Sequence, residues 1–276
     1  MTMHRTRWRL LHTFPAPGSW NMAVDEAILD ATGRGEVPPT LRLYSWEPAC
    51  LSLGYAQPIS DVDRQLLSSF GWDLVRRPTG GKAILHTDEL TYAVIGPHAE
   101  PRLAGGVIES YQRLSAALLS ALGLLGIPAE SLENPATTHQ EANHNPVCFE
   151  IPSHYEIIYQ RKKIIGSAQA RRQEGILQHG SLPLSGDLTR ITQVLVCPDN
   201  AYRQRAAERL LTRAVTVQTA LGYQIEWETA AHAFKTAFQR VLDLDLEAGK
   251  LTPFETQRAA DLVTEKYNHP GWTDRL

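Results

Sequence analysis

Cysteine is scarce in this chain: Cys50, Cys148 and Cys197 are its three, spread over 276 residues. Neither their number nor their spacing suits a disulfide framework, and no C-x-x-C pair marks a structural zinc site. The thiols therefore read as free, in a reducing compartment. Long apolar runs are missing too. No stretch of about 20 apolar residues occurs, which excludes a membrane-spanning helix. The basic start, Met1 to Leu11, is interrupted by Pro15, Pro17 and Gly18 before any apolar run can form, which argues against a secretory leader. Charge of one sign is also missing. The formal net charge is −3, so nothing draws the molecule as a whole toward nucleic acid. G-x-S-x-G and G-x-x-x-x-G-K-[ST] do not occur, which leaves serine-hydrolase and P-loop chemistry without support.

What is there is ordinary globular composition, with 43% hydrophobic and 21% charged residues. The length suits one large domain with a substantial core. The patterning predicts a strand at 8–13, a helix from Asn21 to Ala31, β segments at 40–46 and 50–54, and a short helix near 60–69. A strand at 73–76 leads into a glycine-containing loop at 77–89. Leu90 to Ile95 resumes a strand, and a helix follows at 107–125. Residues 128–146, rich in Asn, His, Pro and Thr, read as a long loop, a common setting for functional residues. Strands are expected at 147–150, 154–159, 163–169 and 176–182, and residues 187–267 read as mostly helical. The mixed order predicts an α/β (α+β) fold. The expected organisation is a catalytic domain over 1–225 and a helical C-terminal appendage over 226–276 packed on it.

Three segments carry chemistry. In Arg76-Arg77-Pro78-Thr79-Gly80-Gly81-Lys82-Ala83-Ile84-Leu85-His86, two glycines let backbone approach a ligand and two arginines offer cations for a phosphate-bearing group; a plain β-turn with solvated arginines fits equally. Cys148 stands where the long loop meets a strand. A thiol attacks only as thiolate, so it needs a nearby cation. Lys163, fifteen residues on, can be returned beside it by a tight connection between strands. Local pattern alone favours Cys148 as a buried bystander. In Lys163-Ile164-Ile165-Gly166-Ser167-Ala168-Gln169, the strand glycine signals either backbone near a ligand or an edge bulge. Gln178-His179-Gly180-Ser181 sets polar groups in an apolar strand, and His179 is open between substrate contact and satisfied core histidine. His139, His144 and Cys148 lack a clear fourth partner for a metal, so no metal site is expected.

These ordered stretches, with Glu89-Leu90-Thr91-Tyr92 and Cys148-Phe149-Glu150-Ile151-Pro152-Ser153-His154-Tyr155-Glu156, resemble the biotin/lipoate protein ligase superfamily, and within it the cysteine-dependent octanoyltransferase branch. The likeness runs from about residue 8 to the C-terminus. It implies the mixed sheet of class II aminoacyl-tRNA synthetases and biotin ligases, flanked by helices. It implies transfer of an octanoyl group from octanoyl-acyl carrier protein to a lysine of a lipoyl domain, glycine cleavage H protein first, in bacterial cytoplasm, by a monomer without ATP or metal. Carried over by motif, Cys148 bears the acyl thioester and Lys163, three residues before Gly166, lowers the thiol pKa. Arg76, Arg77, Gly80, Gly81, His86, Gly166, Ser167, Ala168, Gln169, His179, Gly180 and Ser181 are the implied substrate-binding set. One departure bears on the reaction. ATP-dependent lipoate ligases carry a third glycine where this chain has Lys82, and a D-x-G-N-like segment where it has Thr87-Asp88-Glu89-Leu90, so an adenylate would lose part of its backbone cradle.

Overall fold

The computed structural model describes residues 5–133 and 155–276. Its frame is an eight-stranded mixed sheet. The strands are β1 (Thr6–His12), β2 (Thr40–Tyr44), β6 (Glu89–Gly96), β7 (Glu130–Glu133), β8 (Tyr155–Tyr159), β9 (Lys162–Arg172), β10 (Gly175–Pro183) and β11 (Leu244–Ala248), in the order β11-β1-β2-β6-β10-β9-β8-β7. β11, β1 and β2 run parallel; from β2 onward every pairing is antiparallel. A smaller sheet holds β3 (Cys50–Leu53) between β4 (Asp73–Arg76) and β5 (Ile84–His86).

Each face of the large sheet is covered because its helices carry apolar stripes. On one face lie α3 (Val107–Leu124) and α6 (Trp227–Val241). Leu114, Ala117, Leu118, Ala121 and Leu122 recur at helical spacing on α3, as do Ala230, Phe234, Ala237 and Phe238 on α6, and they bury against Trp8, Leu43, Tyr92 and Ile165. On the other face lie α1 (Gly18–Gly33) and α7 (Pro253–Leu262), packed on Leu11, Tyr44, Ala93 and Leu177. Sequence sets the helix ends. Thr252 caps α7, its Oγ1 accepting from the Glu255 amide while its own amide donates to the Glu255 carboxylate, with Pro253 in the first turn. Asp63 caps α2 (Arg64–Ser69) and Asp199 caps α4 (Asn200–Arg213). The remaining helices are α5 (Val217–Leu221) and α8 (Pro270–Thr273).

The expected α/β class holds, and most expected elements appear within a few residues. Three strands escaped the sequence reading. β11 lies inside the stretch read as helical: Leu244 and Leu246 are buried while Asp245 and Glu247 are exposed, a period-two pattern too short to register between two helices. Residues 226–276 are therefore not purely helical; they add a strand beside β1 and a helix, α7, against α1. β7, Glu-Ser-Leu-Glu, is polar, at an edge of the sheet, where pairing needs no apolar face. β5 is three residues within the expected 77–89 loop. The strand expected at 147–150 lies outside the described residues. No described helix is long and apolar enough to cross a membrane.

Candidate active site

Between the small sheet and the large one lies a pocket. Gly166, Ser167, Ala168, His179, Gly180 and Ser181 line it from β9 and β10, with Arg77, His86, Ser52, Ile84, Met22, Tyr44, Trp46 and Thr91 around them. Space exists there because the sequence places small residues on the sheet surface. Gly166 pairs opposite Ser181, and Ala168 opposite His179, so neither β9 residue projects far. Seven of the twelve expected binding residues, from Gly166 to Ala168 and His179 to Ser181 with His86, meet here, and Arg77 makes eight.

A β-bulge decides where Lys163 points. Ile157 pairs with Ile165, but Ile158 pairs with Lys163, so Ile164 is an extra residue on β9. Ile164 and Ile165 both enter the core beneath the sheet, and the side-chain alternation slips by one. In a regular strand Lys163 would share the core face with Ile165. With the bulge it shares the face of Gly166 and Ala168, the pocket's wall. Lys163 is 4% exposed, and its Nζ donates to Glu156 Oε1 at 3.1 Å. Of the two sequence readings of Gly166, the geometry fits backbone facing a cavity; the bulge of β9 lies at Ile164, in an interior strand rather than at an edge. Cys148 lies outside the described residues, as do His139 and His144.

The other expected residues take different places. Arg76 is fully buried, and its guanidinium donates to the carbonyls of Gln57 (2.5 Å), Gly54 (2.9 Å) and Thr273 (2.8 Å). It ties the C-terminal turn to the loop after β3 and is not among the residues that line this pocket, where the sequence suggested a phosphate-holding cation. Arg77 lines the pocket but also shapes the glycine loop, donating to the carbonyls of Gly80 and Lys82 at 2.8 Å each. Gly80, Gly81 and Gln169 line a neighbouring open cleft with Lys82, Arg171 and Arg172. A Cβ on Gly80 would meet nothing within 4 Å.

Two buried networks carry the site's electrostatics. In one, His179 Nε2 bonds Thr79 Oγ1 at 2.7 Å and Nδ1 lies 3.3 Å from Asp25 Oδ2. Arg42 donates to Asp25 at 2.6 Å, and the Tyr44 hydroxyl donates to Asp25 at 3.0 Å. Burial pulls the Asp25 carboxyl up, but the Arg42 guanidinium and the His179 bond outweigh it and leave the group below the usual range. Burial lowers His179, against the pull of Asp25. In the other network, His86 Nε2 meets Ser52 Oγ at 2.7 Å, and Nδ1 meets Glu89 Oε1 at 2.7 Å. Glu89 also accepts hydroxyl bonds from Thr91 and Ser181. Burial would raise Glu89; the neighbouring His86 ring and these bonds outweigh it, so its pKa is lowered. Trp46 stacks flat on His86, centroids 4.0 Å apart, and its Nε1 donates to Thr91 at 2.7 Å. Asp25, Trp46, Ser52 and Glu89 were not selected from sequence. The spacing of His86 and Glu89, three apart at a strand end, was the available signal.

A profile of the lipoyl protein ligase A/B catalytic domain matches residues 17–239. The chain belongs to this family. Among its relatives, the octanoyltransferase LipM of Symbiobacterium thermophilum is 42% identical over 98% of this chain and 99% of its own length. That of Kyrpidia tusciae is 41% identical over 97% and 98%. Of solved structures, a bi-partite lipoate protein ligase of Thermoplasma acidophilum, described with its E2 lipoyl domain, superposes with a TM-score of 0.78 at 26% identity, covering 98% of this chain and 96% of that one. A lipoate-protein ligase A bound with ATP shares the fold, with a TM-score of 0.77 at 24% identity over 98% and 99%. Members so named match along the whole length, and this family member is an acyltransferase enzyme.

Proposed function

We propose that the chain transfers an octanoyl group from octanoyl-acyl carrier protein to a lysine of a lipoyl domain, glycine cleavage H protein first, through a thioester on Cys148. The observation that carries the reading is the bulge that puts buried Lys163 on the same face of β9 as Gly166 and Ala168, which line an apolar pocket. Cys148 Sγ attacks the donor thioester, and the carrier's thiol leaves. Lys163 favours the thiolate and balances the charge that develops on the carbonyl oxygen. The pocket takes the acyl chain, at about 0.8 kcal/mol per buried CH₂. Thioester exchange is nearly isoenergetic and amide formation is downhill, so the reading needs neither ATP nor metal. It is the reading of a monomer in bacterial cytoplasm that uses no nucleic acid.

The names of the full-length relatives support octanoyl as the group, and the E2 lipoyl domain described with the Thermoplasma ligase supports a lipoyl-domain acceptor. The likeness to an ATP-bound ligase favours a second reading, lipoate adenylation. Against it stand Lys82 in the glycine loop and Thr87-Asp88-Glu89-Leu90 beyond it. The test is intact-mass measurement after incubation with octanoyl-acyl carrier protein alone. One octanoyl adduct is expected, absent in Cys148→Ala. Full transfer activity in Cys148→Ala, or lipoate-dependent pyrophosphate release, would overturn the reading. Lys163→Ala should shift the rate-versus-pH curve for Cys148 alkylation to higher pH.

A further inference from the structure

The amine that closes this reaction arrives as an ammonium, since a free lysine titrates near ~10.4. It must lose a proton before it can attack. The pocket holds two histidines in matching frames, each with a hydroxyl on Nε2 and a carboxylate beside Nδ1. They differ in what their carboxylates already hold. Asp25 is paired with the fixed cation of Arg42, so a proton on His179 would add a second positive charge to a satisfied site, facing Arg77. Glu89 receives hydroxyl bonds from Thr91 and Ser181, and among the described residues its ion-pair partner is His86. A proton arriving on His86 therefore completes an ion pair.

We propose that His86, oriented by Glu89 and reached through Ser52, accepts the proton of the incoming acceptor amine. This rests on the acyl-cysteine reading above. Position supports it. Ser181, bonded to Glu89, pairs across from Gly166, and Lys163 lies three residues before Gly166 on the same strand. Trp46 lines both this pocket and a broad solvent-open groove that also holds Glu89, Phe14, Glu47, Trp227 and Glu228. Phe14 is 91% exposed on that groove.

The step balances as follows. The ammonium gives one proton to Ser52 Oγ as the Ser52 hydroxyl proton passes to His86 Nε2, leaving a neutral amine and an imidazolium held by Glu89. The amine nitrogen bonds the octanoyl carbonyl carbon. The carbon–sulfur bond to Cys148 then breaks with its electron pair on Sγ, and the second nitrogen proton goes to that sulfur. His86 releases its proton to solvent. The charged and titratable groups around His86 are Glu89 on β6, Arg77 after β4, Cys50 opposite it on β3, and His179 on β10.

The experiment separates the two half-reactions. The acyl-enzyme is formed with octanoyl-acyl carrier protein, isolated, and mixed with lipoyl-domain acceptor or with hydroxylamine, which is unprotonated at neutral pH. In His86→Asn, which keeps a donor toward Glu89, any loss in acylation and hydroxylamine cleavage, from the changed pocket lining, should be at least tenfold smaller than the loss in transfer to the acceptor. Transfer to the acceptor should fall 10²–10⁴-fold, the usual range for general base catalysis. The residual rate should climb tenfold per pH unit toward the free lysine range. Glu89→Gln should show the same split. Unimpaired transfer to the acceptor overturns the proposal, and so does an equal loss in acylation and hydroxylamine cleavage, which marks a structural role. Failure of the wild-type protein to form any adduct refutes the acyl-cysteine reading instead.

Discussion

Single residues in this site answer to backbone geometry as much as to chemistry. A Cβ on Gly54 would sit 1.8 Å from the carbonyl oxygen of Gly81, so the glycine loop can dock on the β3 end only because that position has no side chain. Gly54→Ala should cost at least about 1–3 kcal/mol, as overpacking against immovable backbone does, read as a lower denaturation midpoint. Gly80→Ala makes the opposite prediction. It meets nothing, so stability should stay within about 0.5 kcal/mol. If substrate backbone passes over that loop, KM rises while the midpoint does not move. The sequence pattern announced the glycine pair but not its neighbour. Gly54 precedes the pair by 26 positions, and the close approach exists only once β3 and β4 are paired. The same limit hid Glu89: its acidity is ordinary along the chain and becomes informative only when β5 and β6, in different sheets, turn His86 back upon it.

At the level of elements, the legible parts were those with long regular periods. α3 and α6 carry apolar stripes that no other arrangement would bury. Lys163 shows where such reading stops. Its spacing from Gly166 is fixed in the sequence, but its face depends on the extra residue at Ile164, and a bulge is set by pairing with β8 rather than by local propensity. The C-terminal turn is a second case. Arg76 was expected to serve substrate because arginine beside glycine suits phosphate. Its neighbours in space are instead the last turn of the chain, with Trp272 Nε1 donating to the Arg76 carbonyl at 2.8 Å. Arg76→Met should leave the carbonyls of Gln57 and Thr273 without this donor. Leaving a buried acceptor unsatisfied costs about 1–3 kcal/mol each. Hydrogen exchange should accelerate first at 270–276 and in the 54–61 loop. If exchange there is unchanged and activity alone falls, the guanidinium serves substrate after all.

For the whole molecule, the buried titratable groups set a stability maximum that can be located from their directions of shift. His179 is lowered by burial, so below about pH 6.5 the unfolded chain takes up a proton that the folded one refuses, and stability falls as pH drops through that range. Asp25 and Glu89 are lowered by their partners. Their contribution is present above the ordinary carboxylate range near ~4 and is lost as pH falls further through their folded values. On the alkaline side the sign reverses. Burial raises Cys50, Tyr44 and Tyr267 well above their ordinary values and pushes Tyr92 up to about 12. The unfolded chain therefore gives up protons first, and stability declines as pH rises beyond about 8.5 for the thiol and about 10 for the phenols. Maximum stability should lie between roughly pH 6.5 and 8.5, with a shallow loss from 6.5 to 5 and a steep one below 4. Thermal midpoints measured across pH 3–11 check this. His179→Asn should flatten the shallow step while leaving the steep one, because Asp25 keeps Arg42 and Glu89 keeps His86. A wild-type midpoint that stays level or rises between pH 7 and 5 would contradict a neutral buried His179, and with it the distinction between the two histidines on which the proton-acceptor assignment of His86 depends.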